Sequence, residues 1–173
     1  MTDYAALLAA LRGEGVEFIL VGGLAATAHG SARLTEDVDV VYRRSTDNYR
    51  RMVAALGPRD PYLRGAPPGL PFRWDEQTIE RGLNFTLTTS IGAIDLLGEI
   101  AGGGAYDELV QHTIEVTVFG TPCRCLDLPH LIYVKRAAGR PKDLEAVAEL
   151  EALLEERHAG PRLPPDRPHG KGD

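Results

Sequence analysis

Residues 18–42 read FILVGGLAATAHGSARLTEDVDVVY, and this segment is the basis of the fold prediction. An apolar run ends at Gly22 and Gly23, and the small residues after it favour a short helix. The chain becomes apolar again in DVDVVY, where Asp37 and Asp39 interrupt the hydrophobic residues. Side chains two positions apart in a strand point to the same face. The pattern therefore predicts two neighbouring carboxylates on one face of a strand.

The Asp37–Asp39 pair needs a physical reason, because two adjacent carboxylates repel and their burial without a partner is costly. A divalent cation relieves both problems, and Mg²⁺ is typically held by one or two carboxylates together with substrate phosphates. The alternative is a solvent-facing pair on an edge strand. Glycines at a strand-to-helix turn let backbone N–H groups approach a phosphate. Gly22 and Gly23 therefore predict either a phosphate site or a tight turn that needs small residues.

A third carboxylate, Asp95, lies in the segment GAIDLLGEI and again interrupts an apolar strand. Two metals, or a metal and a base, require a third acidic group if they are to run a displacement reaction. Three acids in two hydrophobic strands are difficult to explain as solvated surface. We therefore expect Asp37, Asp39 and Asp95 to form one metal-binding and catalytic group.

Composition limits the classes of protein that fit. The chain has 173 residues, of which 43% are hydrophobic, so it can bury a core. Its net charge of −6 argues against a general nucleic-acid coating protein, although a local basic site is still compatible with it. Cys123 and Cys125 are too few for a disulfide framework. The sequence predicts neither a signal peptide nor a membrane span, and we expect a cytoplasmic protein.

The order of predicted elements favours an α+β fold with a mixed β-sheet flanked by helices. We expect a single domain over residues 1–158, with a Pro/Gly-rich excursion at 57–73 and a disordered tail at 159–173. Helical periodicity predicts two C-terminal helices, at 127–138 and 142–157, separated by GRP. The segments IEVTVFG and TPCRCLD predict a hairpin before them.

The combined motif resembles the nucleotidyltransferase fold of the polymerase-β superfamily. In that signature an apolar strand ends at two small residues, an acidic pair spaced i, i+2 follows, and a third acid lies on a later strand. Within the superfamily, VGGLAATAHGSARLTEDVDVV is similar to bacterial minimal nucleotidyltransferases grouped with abortive-infection (AbiEii-like) toxins. The C-terminal segment also matches the K-R-x-x-x-R-x-K-D pattern of that group, with Lys135, Arg136, Arg140, Lys142 and Asp143. The resemblance covers roughly residues 5 to 155.

The resemblance implies an enzyme of EC class 2.7.7 that transfers a nucleoside monophosphate from an NTP to a hydroxyl acceptor with Mg²⁺ or Mn²⁺. Asp37 and Asp39 would hold the metal that bridges the phosphates. Asp95 would hold a second metal or take the proton of the acceptor. An RNA or tRNA end, or a protein, is the expected acceptor, and a toxin role implies an antitoxin-like partner or a homodimer. Two alternatives stay open: a non-catalytic NTP-binding or regulatory protein, and an aminoglycoside-type small-molecule nucleotidyltransferase.

Four basic residues are candidates for binding the nucleotide. Lys135 continues the apolar stripe of its predicted helix, so its side chain either snorkels to solvent or reaches a negatively charged cleft. Arg140 and Lys142 flank Pro141 at the break between the helices and are weaker candidates for phosphate contact. The alternative is that Lys142 and Asp143 only cap or pair at the second helix. Arg33 either contacts the nucleotide or shapes the loop before the acids. We predict Lys135 as the main phosphate ligand.

Overall fold

A computed structural model describes residues 1–160 and contains a mixed sheet flanked by helices. The helices are α1 (Tyr4–Gly13), α2 (Gly22–Ala28), α3 (Thr46–Leu56), α4 (Glu76–Arg81), α5 (Tyr106–Leu109), α6 (Leu128–Ala138) and α7 (Pro141–Ala159). The strands are β1 (Phe18–Val21), β2 (Asp37–Tyr42), β3 (Tyr62–Leu63), β4 (Asn84–Thr89), β5 (Gly92–Leu97), β6 (Glu99–Ile100), β7 (Gly104–Ala105), β8 (Thr113–Val118) and β9 (Thr121–Leu126). This architecture confirms the predicted α+β fold class.

Seven strands form the main sheet in the order β3-β4-β5-β2-β1-β9-β8. Strands β1 and β2 are antiparallel, and β2 lies parallel to β5, which forms an antiparallel hairpin with β4. On the other side β1 lies parallel to β9, which pairs with β8 in the predicted hairpin. The short strands β6 and β7 pair separately. The sheet therefore brings the two acid-bearing strands, β2 and β5, into direct contact.

Hydrophobic patterning explains why the central strands are held in place. All four residues of β1 are buried, as are Val38 and Val40 of β2 and Ile94 and Leu96 of β5. The side chains that alternate with these valines and with Ile94 and Leu96 point to the opposite face. That opposite face carries the carboxylates, so burial of the apolar face fixes the register that aligns the acids.

Local signals define the C-terminal helices. Asp127 caps α6, because its side chain accepts a hydrogen bond of 2.8 Å from the backbone N–H of His130. Gly139 ends α6 in the left-handed conformation, and Pro141 occupies the first turn of α7. Both predicted helices are thus present. Helix α7 ends at Ala159, and residues 161–173 of the predicted tail lie outside the described part of the chain.

The predicted excursion at 57–73 is attached to the sheet. A 3₁₀ turn at Gly57–Arg59 leads into β3, which pairs with β4 at the sheet edge. The backbone N–H of Arg64, directly after β3, donates a hydrogen bond of 3.0 Å to the Thr86 carbonyl. The Pro/Gly-rich composition thus hides a short strand, and pairing with β4 fixes the residue that follows it. Across residues 1–160, the helices are all too short or too polar to span a membrane.

Candidate active site

The three predicted acids meet on one face of the sheet. In the parallel pairing of β2 with β5, Asp39 lies opposite Asp95, and Asp37 lies two residues earlier on the same face. One carboxylate oxygen from each residue lies within 4.8 Å of one from each of the others. The side chains are partly buried, at 30% exposure for Asp37 and 22% for Asp95. This grouping joins strands that are more than fifty positions apart in the sequence.

The two glycines make room for neighbouring side chains. Gly22 has a φ of +65°, and a Cβ atom there would overlap Asp39 Oδ2 and lie 2.8 Å from Asp39 Cβ and Cγ. A Cβ atom on Gly23 would lie 2.8 Å from Thr35 Oγ1. The absence of a side chain at Gly22 therefore sets the position of the Asp39 carboxylate. The tight-turn interpretation thus has direct support, and phosphate contact by these glycines stays a prediction.

Burial and like charge dominate the electrostatics of the acids. Burial, together with the charge of Asp37 and contact with Asp95, raises the pKa of Asp39 to about 8. Burial and the charge of Asp95 also raise the pKa of Asp37, while the charge of Arg64 opposes that shift. Each shift means that the ionised carboxylate is disfavoured where it lies. Additional positive charge near these side chains would favour the ionised forms.

A divalent cation fits this donor set. Mg²⁺ and Mn²⁺ prefer oxygen ligands, and Mg²⁺ is usually bound by one or two carboxylates that leave room for water and phosphate. The three oxygens are close enough to share one ion, and the carboxylates line an open cavity. The raised pKa of Asp39 is consistent with a site whose negative charge is not fully compensated by the protein alone.

Arg64 is a residue of the site that sequence reasoning missed. Its Nη1 donates a hydrogen bond of 3.3 Å to Asp37 Oδ2, and its Nη2 lies 2.9 Å from Asp95 Oδ1. Nη2 also donates a hydrogen bond of 2.8 Å to the Leu87 carbonyl. One guanidinium therefore bridges two of the three acids. The only sequence signal was a basic residue in a Pro/Gly-rich segment, which does not indicate a site.

Lys135 approaches the acids from α6. Its helix buries Leu131 and Ile132 one turn earlier, as the apolar stripe predicted, and the Lys135 side chain is itself partly buried. Burial lowers the pKa of the Lys135 ammonium, whereas the charges of Asp143 and Asp39 oppose that shift. Lys135 thus lines both cavities beside the acids, and its part as a phosphate ligand stays a prediction.

The other predicted basic residues lie at the same cleft but differ in their partners. Arg140 is engaged by Asp143, with Nε 2.6 Å from Oδ2 and Nη2 3.2 Å from Oδ1. Arg33 lies 3.5 Å from Glu145 and 3.7 Å from Glu149 on α7. These contacts hold both guanidinium groups against carboxylates of α7, and contact of either arginine with a nucleotide stays a prediction. Lys142 also lines the cleft.

Two cavities adjoin the acids and share the lining residues Gly22, Asp37, Asp39, Lys135, Arg140, Lys142 and Asp143. The larger, of about 390 Å³, extends over Asp95 and Leu97 to Glu99 and Ile100. The smaller, of about 210 Å³, extends along Gly23 to Arg33 and Thr35. Asp37, Asp39 and Lys135 therefore lie where the two cavities meet. The larger cavity has a wall of both apolar and acidic side chains.

His29 and Trp74 have side chains that are common in binding sites, but here both make structural contacts. His29 is buried, with Nε2 2.7 Å from the Leu126 carbonyl and Nδ1 3.1 Å from Arg157. Trp74 donates a hydrogen bond of 3.1 Å to the Met52 carbonyl and contacts Phe85 edge to face. The residues lining the two cavities, all within the described range, include neither His29 nor Trp74.

Solved structures show where this fold occurs. The crystal structure of the lincosamide antibiotic adenylyltransferase LnuA, with lincomycin bound, matches 88% of this chain and 98% of its own, with a TM-score of 0.57 and 12% identity. The solution structure of the antibiotic-resistance factor ANT(2'')-Ia matches 89% of this chain and 90% of its own, with a TM-score of 0.48 and 15% identity. No protein-family model matches the sequence, and no curated protein matches it either.

The likeness to LnuA confirms the predicted nucleotidyltransferase fold. At 12% identity it concerns the fold alone. The resemblance to the AbiEii-like group, and the roles of individual site residues, stay predictions.

Proposed function

We propose that this protein is a metal-dependent nucleotidyltransferase that moves a nucleoside monophosphate from an NTP to a hydroxyl group. The observation that carries the proposal is the convergence of Asp37, Asp39 and Asp95, each with one oxygen within 4.8 Å of the others, beside a cleft lined by Lys135. Three acids facing a basic side chain across an open cavity suit a substrate that combines a divalent cation with a polyphosphate.

Asp37 and Asp39 would hold the cation, with Asp95 alongside them. When bound, Mg²⁺ or Mn²⁺ supplies neutralisation of phosphate charge and alignment of the attacking and leaving oxygens. Asp39 enters this role from a position set by Gly22, so the chain fixes the carboxylate before substrate arrives. In the transfer, the acceptor oxygen bonds to the α-phosphorus while the bond from that phosphorus to the α–β bridging oxygen breaks. Pyrophosphate leaves with the bridging oxygen, and the hydroxyl proton passes to solvent.

Lys135 would contact the triphosphate, because it lines both cavities and its charge interacts with Asp39. Lys142 and the backbone of Gly22 and Gly23 would add phosphate contacts. Arg140 and Arg33 would contribute less, since their guanidinium groups are already engaged by carboxylates of α7. The order of importance among the basic residues is therefore Lys135 first, then Lys142.

A small hydroxylated molecule is the acceptor that the cleft favours. The larger cavity, about 390 Å³, has the size of a small-molecule site and a mixed wall that includes Leu97, Ile100 and the acidic Glu99. The net charge of −6 disfavours a long nucleic-acid contact, which depends on many Lys and Arg residues. LnuA, with which this chain shares its fold, acts as a lincosamide antibiotic adenylyltransferase.

A toxin that modifies an RNA end or a protein, with an antitoxin-like partner or a homodimer, is the second candidate. The observation that favours it is the cluster of Lys135, Arg140 and Lys142 at the rim of the same cleft, since a phosphodiester needs local positive charge. The third candidate is a regulatory protein that binds an NTP without transferring a nucleotide.

The deciding experiment supplies each of the four NTPs with a label at the α-phosphate, together with Mg²⁺ or Mn²⁺, and follows the label into the acceptor. The acceptor panels are lincosamides, aminoglycosides, total RNA and total protein. We expect a metal-dependent labelled product that disappears in the Asp37→Asn/Asp39→Asn variant and persists in Asp107→Asn, which removes an exposed charge outside the site. Binding of Mg–NTP without any product would favour the regulatory role. Label transfer that the double variant retains would refute the proposed site.

A further inference from the structure

Arg64 differs from the other charged residues of the cleft in its position. The residues that line the two cavities, all from the described range, do not include it. It contacts Asp37 Oδ2 and Asp95 Oδ1 from the side of β3 and β4, whereas Lys135 lines the cavities themselves. Arg64 is therefore placed to act on the acids and not on a substrate in either cavity.

Two contacts with β4, one from its backbone and one from its guanidinium, hold Arg64 in place. The Arg64 backbone is bonded to Thr86 and its Nη2 to the Leu87 carbonyl, both on the adjacent strand β4. The side chain is 29% exposed, against 44% for Arg33 and 63% for Arg50 in ion pairs elsewhere. Surface ion pairs of mobile side chains contribute little, but this guanidinium is anchored at both ends. The fold itself therefore fixes the contact of Arg64 with the acids.

The position of Arg64 limits how many cations the acids can bind. A metal ion that bridged Asp37 and Asp95 through these two oxygens would lie about 2 Å from each, and it would compete there with a guanidinium that already lies 3.3 and 2.9 Å from them. The charges agree with this steric limit. Once metal binding ionises all three carboxylates, they and the guanidinium together carry a charge of −2, and Lys135 beside them lowers the negative charge further, so a single divalent cation is enough to neutralise the group. A second divalent cation would face repulsion from both the first ion and Arg64.

We propose that Arg64 takes the place of a second metal ion, so that this site binds one divalent cation per chain. The inference rests on the proposed function in one respect, because it requires the acids to hold a metal. Arg64 is then a positioning residue that fixes the outer oxygens of Asp37 and Asp95 and leaves their other oxygens to the cation. Under this proposal Asp95 shares the single cation and binds Arg64, whereas the resemblance implied that it holds a second metal or takes the proton of the acceptor.

The test is the stoichiometry of Mn²⁺ binding, measured by electron paramagnetic resonance and by calorimetry without NTP. We expect one Mn²⁺ per wild-type chain, with any second ion at least about a hundredfold weaker. Arg64→Gln should bind two, with magnetic coupling between the neighbouring ions, and Arg64→Lys should return to one. Arg73→Gln, which removes an exposed charge from the same segment, should bind one.

Each other outcome overturns the inference in a recognisable way. Two tightly bound Mn²⁺ in the wild-type protein, or one in a folded Arg64→Gln variant, would overturn the role of Arg64 and leave the proposed function intact. No Mn²⁺ binding by the wild-type protein without NTP would overturn the role of Arg64, whereas the proposed function would still be decided by label transfer, because there the cation arrives with the NTP. If Arg64→Gln does not fold, the wild-type stoichiometry and Arg64→Lys decide, because a purely structural arginine predicts no limit at one ion.

Discussion

Replacement of Gly22 by alanine should destabilise the protein through two separable effects. The first is conformational, because φ at Gly22 is +65° and a residue with a side chain pays about 1–2 kcal/mol in the left-handed region. The second is steric, because the new Cβ overlaps the Asp39 carboxylate, and forcing that side chain off its rotamer costs about 0.5–1.5 kcal/mol. We expect the free energy of unfolding to fall by about 1.5–3.5 kcal/mol in total.

A double-mutant cycle separates these two effects. Asp39→Gly removes every Asp39 atom that the new methyl group would meet, so Gly22→Ala in that background should retain only the conformational cost. Urea unfolding in EDTA gives the four free energies, and we expect a coupling of about 1 kcal/mol between the sites. Gly57→Ala is the matched control, because Gly57 has a helical φ of −51° and open space around it, so alanine should be neutral or slightly stabilising. Additivity within about 0.5 kcal/mol would refute the claim that Gly22 positions the Asp39 carboxylate.

Three further predictions concern charge. The pKa of Asp39 is raised to about 8, so Mn²⁺ affinity should rise about tenfold per pH unit below that value, and calorimetry that finds affinity independent of pH would contradict it. Lys135→Met should weaken binding of the Mg–NTPs about tenfold, whereas the exposed neighbour variant Arg136→Met should not, as measured by equilibrium dialysis. Burial lowers the pKa of His29 in the folded protein, so the unfolded chain binds a proton first as pH falls. Stability relative to His29→Asn should therefore be full above about pH 6.5 and decrease below it, and parallel pH profiles of unfolding would contradict this.

Much of the fold follows from local signals in the sequence. Hydrophobic alternation located β2 and β5, glycines marked the ends of β1 and α6, and Asp127 with Pro141 bounded the terminal helices. Each signal acts within a few residues and reflects backbone preference or burial. The grouping of the three acids was predicted from their places in two apolar strands, but the alignment of Asp39 with Asp95 was not, because strand register between distant segments depends on the complete sheet.

The parts of the site that sequence could not predict come from distant pairings. Arg64 reaches the acids because a two-residue strand joins the edge of β4, and such a short strand has no periodicity to detect. Arg33 was a candidate for the nucleotide, yet Glu149, which lies 116 positions further along the chain, competes for its guanidinium. Charged residues carry little local information about which partner they will meet, and this explains why cations were harder to place than acids.

The two cations next to the acids, Arg64 and Lys135, affect the site in different ways. Arg64 offsets the negative charge of the metal-free protein from outside the cavities, so it acts whether or not substrate is present. Lys135 lines both cavities and loses part of its hydration there, so its charge is most favourable when a polyphosphate replaces the lost water. Since a cation that binds only the folded chain stabilises it in proportion to the logarithm of its concentration, the remaining negative charge couples folding to metal binding. The acids that destabilise the metal-free sheet are thus the groups through which a divalent cation would stabilise it.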